Sequence, residues 1–159
     1  MTTLLPLASY HVLPAWVDYN HHMNDAAYAL VFSRSVDALM DRAGLDAAGR
    51  ARTGQTIYTL KLMVTYLREA KLGEEIAVAV RILERDARRL RLWLEMTGVD
   101  GTVLATCEQL LMCVMQGENG PRAASFVPEV AAALAQVAAL HEGEALPEGA
   151  GMGVAMRRR

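Results

Sequence analysis

One long run of helical spacing, followed by apolar residues that recur every second position, restricts this chain to few architectures. From Asn24 onward, Tyr28, Val31, Phe32, Ser35, Leu39 and Ala43 fall on one helical face. Arg34, Asp37, Asp41 and Arg42 mostly lie off that face. Asn24 suits the N-cap, Asp25 the first turn, where the helix dipole stabilises negative charge, and Gly44 the C-terminal stop.

The period then changes to two. Over Gln55 to Tyr66 the set Tyr58, Leu60, Leu62, Val64 and Tyr66 alternates with polar residues, predicting a strand with one buried face. Leu72-Gly73 opens a second such strand, carrying Ile76, Val78, Val80 and Ile82. After a connection at Arg85 to Arg88, Leu90, Leu92, Leu94 and Met96 continue the pattern. Asp100-Gly101 reads as a hairpin turn with positive φ at both positions. The last strand, Thr102 to about Met115, is apolar on both faces from Leu110 onward, so it needs the helix on one side and a cover, such as a second subunit, on the other. Ser9 to Leu13 predicts a short first strand ended by Pro14, and Val127 to Leu140 a terminal helix. The order strand, long helix, four strands, helix implies an α+β layer with the helix packed on an antiparallel sheet.

Composition limits the function. The chain has 159 residues, enough for one domain with a real core, and a formal net charge of -2, which argues against a nucleic-acid partner. The start, MTTLLPLASYH, lacks a basic n-region and an apolar run, and no segment has the roughly 18 apolar residues of a membrane span, so a cytoplasmic location is expected. We expect one domain over residues 1–142 and a weakly ordered tail over 143–159, rich in Gly, Pro and Glu and ending in Arg157-Arg158-Arg159. Cys107 and Cys113 sit six residues apart in one predicted strand, about 20 Å at roughly 3.3 Å per residue, too far for a disulfide. They read as small buried hydrophobes.

The chemistry concentrates just before the long helix. Trp16 to Tyr28, WVDYNHHMNDAAY, gathers Asp18, Asn20, His21, His22, Asn24 and Asp25 where a strand-like segment meets a helix N-terminus. Backbone amides there are unpaired and favour negative charge, so a carboxylate can meet a polarised carbonyl. That arrangement suits attack on an acyl group. Metal binding by His21, His22 and Asp18 is disfavoured, because adjacent His side chains point apart and no third His is near in sequence. No metal and no cofactor are expected.

The string Asp18-Tyr19-Asn20-His21-His22-Met23-Asn24-Asp25-Ala26-Ala27-Tyr28 resembles the entry to the central helix of hotdog-fold acyl-CoA thioesterases of the 4-hydroxybenzoyl-CoA thioesterase type. Their usual pattern is Asp, two variable residues, Gly, His, an apolar residue, Asn, then Tyr four residues later. The resemblance covers roughly Tyr10 to Val114, including Gly54, Tyr66-Leu67 and Gly73-Glu74-Glu75-Ile76. Trp16 to Tyr28, Phe32-Ser33 and Ala105-Thr106-Cys107-Glu108-Gln109 are most similar to thioesterases of carnitine breakdown proposed to act on betainyl-CoA. His21 departs from the pattern by standing where the family usually carries Gly.

The resemblance implies a hotdog fold: an antiparallel sheet wrapped around a long central helix, plus a C-terminal helix. It implies an acyl-CoA substrate and a homodimer or homotetramer with sites at the subunit interface. It makes Asp18 the general base or the nucleophile, and the backbone amide near Asp25 the oxyanion donor. His22 and Asn24 would shape the carboxylate and its loop; alternatively Asn24 only caps the helix and His22 packs beneath it. Trp16, Tyr19, Tyr28, Tyr58 and Trp93 could form an aromatic cage for the trimethylammonium of a betainyl group, with Glu108 as counter-charge; the competing reading makes the aromatics core and Glu108 a partner of a neighbouring Arg. Arg88 and Arg89, with Arg85 and Arg91, could meet the phosphates of CoA or form a solvated hairpin paired with Glu84 and Asp86. A fatty or aromatic acyl group is the next substrate class. A non-catalytic hotdog module is the alternative function, favoured by the bulk of His21.

Overall fold

The computed structural model describes residues 4–156; the closing Arg157-Arg158-Arg159 lies outside the described residues. In chain order the elements are β1 (Leu5–His11), α1 (Asp25–Met40), α2 (Ala47–Thr53), β2 (Gln55–Tyr66), β3 (Glu75–Arg85), β4 (Arg89–Gly98), β5 (Val103–Met115), the short β6 (Arg122–Ala123) and α3 (Pro128–Ala139). The strands form one antiparallel sheet in the order β1-β3-β4-β5-β2, with β6 added to β5. The sheet curls around α1, and α3 packs beside it, as the predicted architecture requires.

The core lies between α1 and the inner face of the sheet. Tyr28, Val31, Phe32, Ser35, Leu39 and Ala43 are all buried, the face that the helical spacing selected. Opposite them lie Ile76, Val78, Val80 and Ile82 from β3 and Leu90, Leu92, Leu94 and Met96 from β4, also buried. β5 contributes Ala105, Cys107, Leu111 and Cys113. Both cysteines are free. Ser35 is tolerated in this core because its hydroxyl donates to the Val31 carbonyl at 2.9 Å and meets the Tyr10 hydroxyl at 3.3 Å.

Five local expectations are corrected. The first strand begins at Leu5 rather than Ser9, since Pro6, which lacks an N–H, is accommodated on the edge strand at a register shift. Gly44 adopts φ 92 within a wide turn, Asp41–Leu45, and a second helix follows it. That helix, α2, is short and interrupted by Gly49, so it shows no apolar period. The Asp100-Gly101 hairpin exists, but only Gly101 has positive φ. Gly101 N–H closes a reverse turn onto the Gly98 carbonyl at 3.0 Å, and Asp100 accepts from the Thr102 amide at 2.9 Å. A β6 strand was not foreseen.

The fifth correction concerns β2. Its apolar set was expected to be buried, yet Tyr58, Leu60, Leu62 and Tyr66 are 40–50% exposed. β2 is the sheet's edge, and among the described residues no strand pairs with its outer side.

Residues 143–156 contain no helix or strand. They run along the outer side of the sheet, held by Arg81, which donates to the carbonyls of Glu144 and Ala145 at 2.9 and 2.7 Å, and by Glu108, which accepts from the Gly151 amide at 2.8 Å.

Candidate active site

A single turn of 3-10 helix, Pro14–Trp16, carries the chain from β1 into the loop before α1. Val17 bridges to Met23, so residues 18–22 form a closed excursion. Asp18 organises it. Its amide donates to the His22 carbonyl at 2.9 Å, and its own carbonyl accepts from the His21 amide at 3.0 Å. Its Oδ1 accepts the amides of Asn20 at 2.8 Å and His22 at 3.3 Å. The loop therefore fixes the Asp18 carboxylate through one oxygen, while Oδ2 takes no hydrogen bond among the described residues.

The loop is stitched outward too. The Met23 amide donates to the Ala70 carbonyl at 2.7 Å, Leu72 donates to the His21 carbonyl at 3.0 Å, and Asn24 donates to the Trp16 carbonyl at 2.8 Å. His22 bridges to Lys71, and its Nδ1 lies 3.2 Å from Glu69 Oε1. His21 is exposed and has φ 61, the left-handed conformation. It is the one non-glycine residue with positive φ among the described residues, so the backbone keeps at this position the conformation glycine adopts most readily.

α1 opens as its sequence predicts. Asn24 Oδ1 accepts the Ala26 amide at 3.0 Å, and Asp25 Oδ1 accepts the same amide at 2.8 Å. The Asp25 amide, at the first helical position, has no acceptor among the described residues. An unpaired amide at the positive end of a helix dipole is a ready donor to an anion.

Beside it lies a hollow of about 280 Å³, lined by Met23, Asp25, Tyr28, Tyr66, Arg68 and Glu69 among others. The Tyr66 hydroxyl donates to the Asp25 carbonyl at 3.1 Å. The rings of Tyr28 and Tyr66 meet edge to face at 5.3 Å. Tyr28 in turn accepts from the Ala70 amide at 3.0 Å and donates to the Arg68 carbonyl at 3.2 Å, tying α1 to the segment after β2. Burial pushes both phenols above the usual tyrosine range. The carboxylates of Glu69, near Tyr28, and of Asp25, near Tyr66, push in the same direction. Both hydroxyls therefore stay protonated and act as donors.

The five aromatics considered for a cage do not gather in one chain. No ring contact joins any two of them among the described residues. Trp16 is buried edge-on to Tyr10, with the Arg34 guanidinium 5.7 Å from its ring centre. Tyr19 is 90% exposed, and Tyr58 stands on β2 with its hydroxyl 3.5 Å from Gln116 Nε2. Trp93 is on the sheet face turned away from α1, beneath Gly149, and its indole donates to Glu95 at 3.0 Å. Glu108 is opposite Trp93 in register and accepts from Arg91 Nε at 2.6 Å.

Among the arginines, Arg89 makes a two-pronged contact with Asp86 Oδ2 at 2.8 and 2.6 Å. The Arg88 amide donates to Asp86 Oδ1, and with the Arg89 side chain it holds the Asp86 carboxyl down at about 2. Arg91 pairs with Glu84 as well as Glu108. The hairpin pairing with Glu84 and Asp86 is thus present, while the Arg88 side chain has no ion pair among the described residues. Tyr66 and Glu69, which line the hollow and reach Asp25 and His22, are not among the residues that the sequence singles out. Tyr66 stands out in sequence only as part of an alternating strand and of the Tyr66-Leu67 stretch of the resemblance, and nothing local marks Glu69.

Residues 12–134 match the family model described as the thioesterase-like superfamily. The chain is 40% identical over 153 residues to the betainyl-CoA thioesterase of Pseudomonas aeruginosa, spanning 95% of this chain and 94% of that protein. It is 38% identical to the L-carnitine dehydrogenase/betainyl-CoA thioesterase of Agrobacterium fabrum, covering 94% of this chain but 30% of that longer protein. Among solved structures, a hypothetical protein of Staphylococcus aureus in complex with CoA superposes with a TM-score of 0.88 at 29% identity, over 99% of this chain and 98% of that one. A putative thioesterase of Pseudomonas putida gives 0.82 at 33% identity, over 98% and 99%. With the central helix, curled sheet and capped polar loop described above, the chain belongs to the thioesterase-like superfamily of thioester hydrolases and has its hotdog fold.

Proposed function

We propose that this chain hydrolyses an acyl-CoA thioester with a short polar acyl group, betainyl-CoA, with Asp18 as the reacting carboxylate. The observation that carries this reading is the pairing, in one stitched loop and helix start, of a carboxylate oxygen and a helix N-terminal amide that are both unengaged. The betainyl-CoA thioesterase of Pseudomonas aeruginosa supports the choice of acyl group and, with it, a place in carnitine breakdown.

In the general-base form, Asp18 Oδ2 takes a proton from water as the water oxygen attacks the thioester carbonyl. The electron pair displaced onto the carbonyl oxygen is received by the Asp25 N–H. Collapse of the tetrahedral intermediate expels the CoA thiolate, which regains the proton, leaving the free acid. In the nucleophilic form Oδ2 attacks the carbonyl carbon and expels the CoA thiolate, giving a mixed anhydride. Water then opens it to the free acid and the Asp18 carboxylate, and a proton from that water goes to the thiolate. The amides of Asn20 and His22 position the carboxylate in either form, and Asn24 caps the helix whose first amide receives the oxyanion.

The exposed edge and apolar side chains of β2 support an oligomer assembled on that strand, a homodimer or a pair of homodimers. No helix among the described residues is long and apolar enough to cross a membrane, and a cytoplasmic site of action fits an acyl-CoA substrate. His21 was the feature favouring a non-catalytic module. It is exposed and holds a glycine-like φ, so its bulk gives that module no support.

The test is thiol release from a panel of acyl-CoAs by wild type and Asp18→Asn. The substitution keeps the Oδ1 acceptor that holds the loop and removes the charge. The expected result is hydrolysis of betainyl-CoA that falls by about 10²–10⁴-fold in the variant. Release of no thiol from any thioester, or a variant within tenfold of wild type, refutes the reading.

A further inference from the structure

We infer that the hollow bounded by Tyr66, Glu69 and Asp25 is the acyl-end subsite, and that it selects a quaternary ammonium over a neutral group of the same shape. This inference rests on the thioesterase reading above and names the residues that set its substrate class.

The chemistry of the substrate creates the requirement. In a betainyl thioester the ammonium nitrogen is one methylene from the reacting carbonyl. An oxyanion received by the Asp25 amide therefore brings a fixed cation to the end of α1, where the helix carries roughly half a positive charge. Without nearby negative charge that cation is repelled from the site that must hold it. The hollow supplies what is needed. The Asp25 side chain stands at the first helical position, and Glu69 lines the same hollow. Glu69 Oε1 faces His22, while its second oxygen takes no hydrogen bond among the described residues. The half-exposed Tyr66 ring, braced edge to face by Tyr28, offers a π surface to the methyl groups.

Arg68 also lines the hollow without an ion pair among the described residues, so the two carboxylates of Asp25 and Glu69 outnumber its single charge there. The cavity, about 280 Å³, is at the small end for ligand sites and suits a short acyl group. Of the residues that sequence alone offered for this task, Tyr28 lines the hollow, while Trp93 and Glu108 lie across the sheet beneath the C-terminal segment.

The discriminating measurement compares betainyl-CoA with 3,3-dimethylbutanoyl-CoA, in which a carbon replaces the nitrogen. The readout is the ratio of kcat/KM for the two thioesters, which cancels any loss common to both. Wild type is expected to favour the cationic thioester by about tenfold or more. Tyr66→Leu and Glu69→Gln should each shrink that ratio about 3- to 30-fold, and Tyr66→Phe, which keeps the ring, should preserve it. A wild-type ratio near one, with both thioesters cleaved, overturns the subsite and leaves the thioesterase reading standing. So does a ratio unmoved in both Tyr66→Leu and Glu69→Gln. If neither thioester is cleaved the activity reading fails, and calorimetry with glycine betaine and 3,3-dimethylbutanoate decides the subsite alone. Preferential betaine binding that Tyr66→Leu abolishes upholds it, and equal or absent binding overturns it.

Discussion

His21→Gly should make this protein more stable, although it removes a whole side chain. His21 sits at φ 61 with its imidazole exposed and free of hydrogen bonds and ion pairs among the described residues. A residue with a Cβ in the left-handed region costs about 1–2 kcal/mol, which glycine does not incur. Glycine's extra freedom in the unfolded chain takes back about 0.4–1 kcal/mol. The difference is a stabilisation of about 0.5–1 kcal/mol, or a Tm rise of about 1–4 °C for a domain of this size. The backbone contacts that hold the turn survive, because the His21 amide and carbonyl still meet Asp18 and Leu72. His21→Ala is the control. It removes the imidazole but keeps the Cβ, so its stability should stay within about 0.5 kcal/mol of wild type. Urea unfolding at fixed pH, followed by circular dichroism, measures all three proteins. A glycine variant no more stable than wild type, or an alanine variant that gains as much as the glycine one, refutes the strain argument.

Two further outcomes follow from the packing. Gly49→Ala would place its Cβ 1.9 Å from the Gly44 carbonyl oxygen, so backbone must move. It should cost about 2–4 kcal/mol in urea unfolding, whereas Gly117→Ala, whose Cβ would lie 3.4 Å from its nearest neighbour, should cost less than about 1 kcal/mol. Burial pushes the Cys107 thiol up to about 12 and the Cys113 thiol up to about 11, from an ordinary 9.0. Native protein at pH 8 should resist a thiol reagent that labels both residues in urea. Because the unfolded chain ionises first, the folded state keeps its full advantage below about pH 8 and loses it as pH rises from 9 through about 12, so the urea midpoint should fall across that range.

The capped helix and the inner faces of β3 and β4 were legible in the sequence because burial periodicity and capping are local. Asn24 meets an amide two residues away, and Phe32 shares a face with Ser35 whatever packs against it. Other features depended on partners distant in the chain. The alternation in β2 is the same as in β3, yet one strand is a bare edge and the other is covered, because exposure is decided by neighbours and not by period. Alternation likewise shows that Trp93 and Glu108 can share a face, but only the direction of the curl shows that this face looks away from α1. The acidic loop before the helix announced acyl chemistry by its own residues. Tyr66 and Glu69 join it from about 40 positions away, because β2 ends where α1 begins, and no local pattern encodes that meeting.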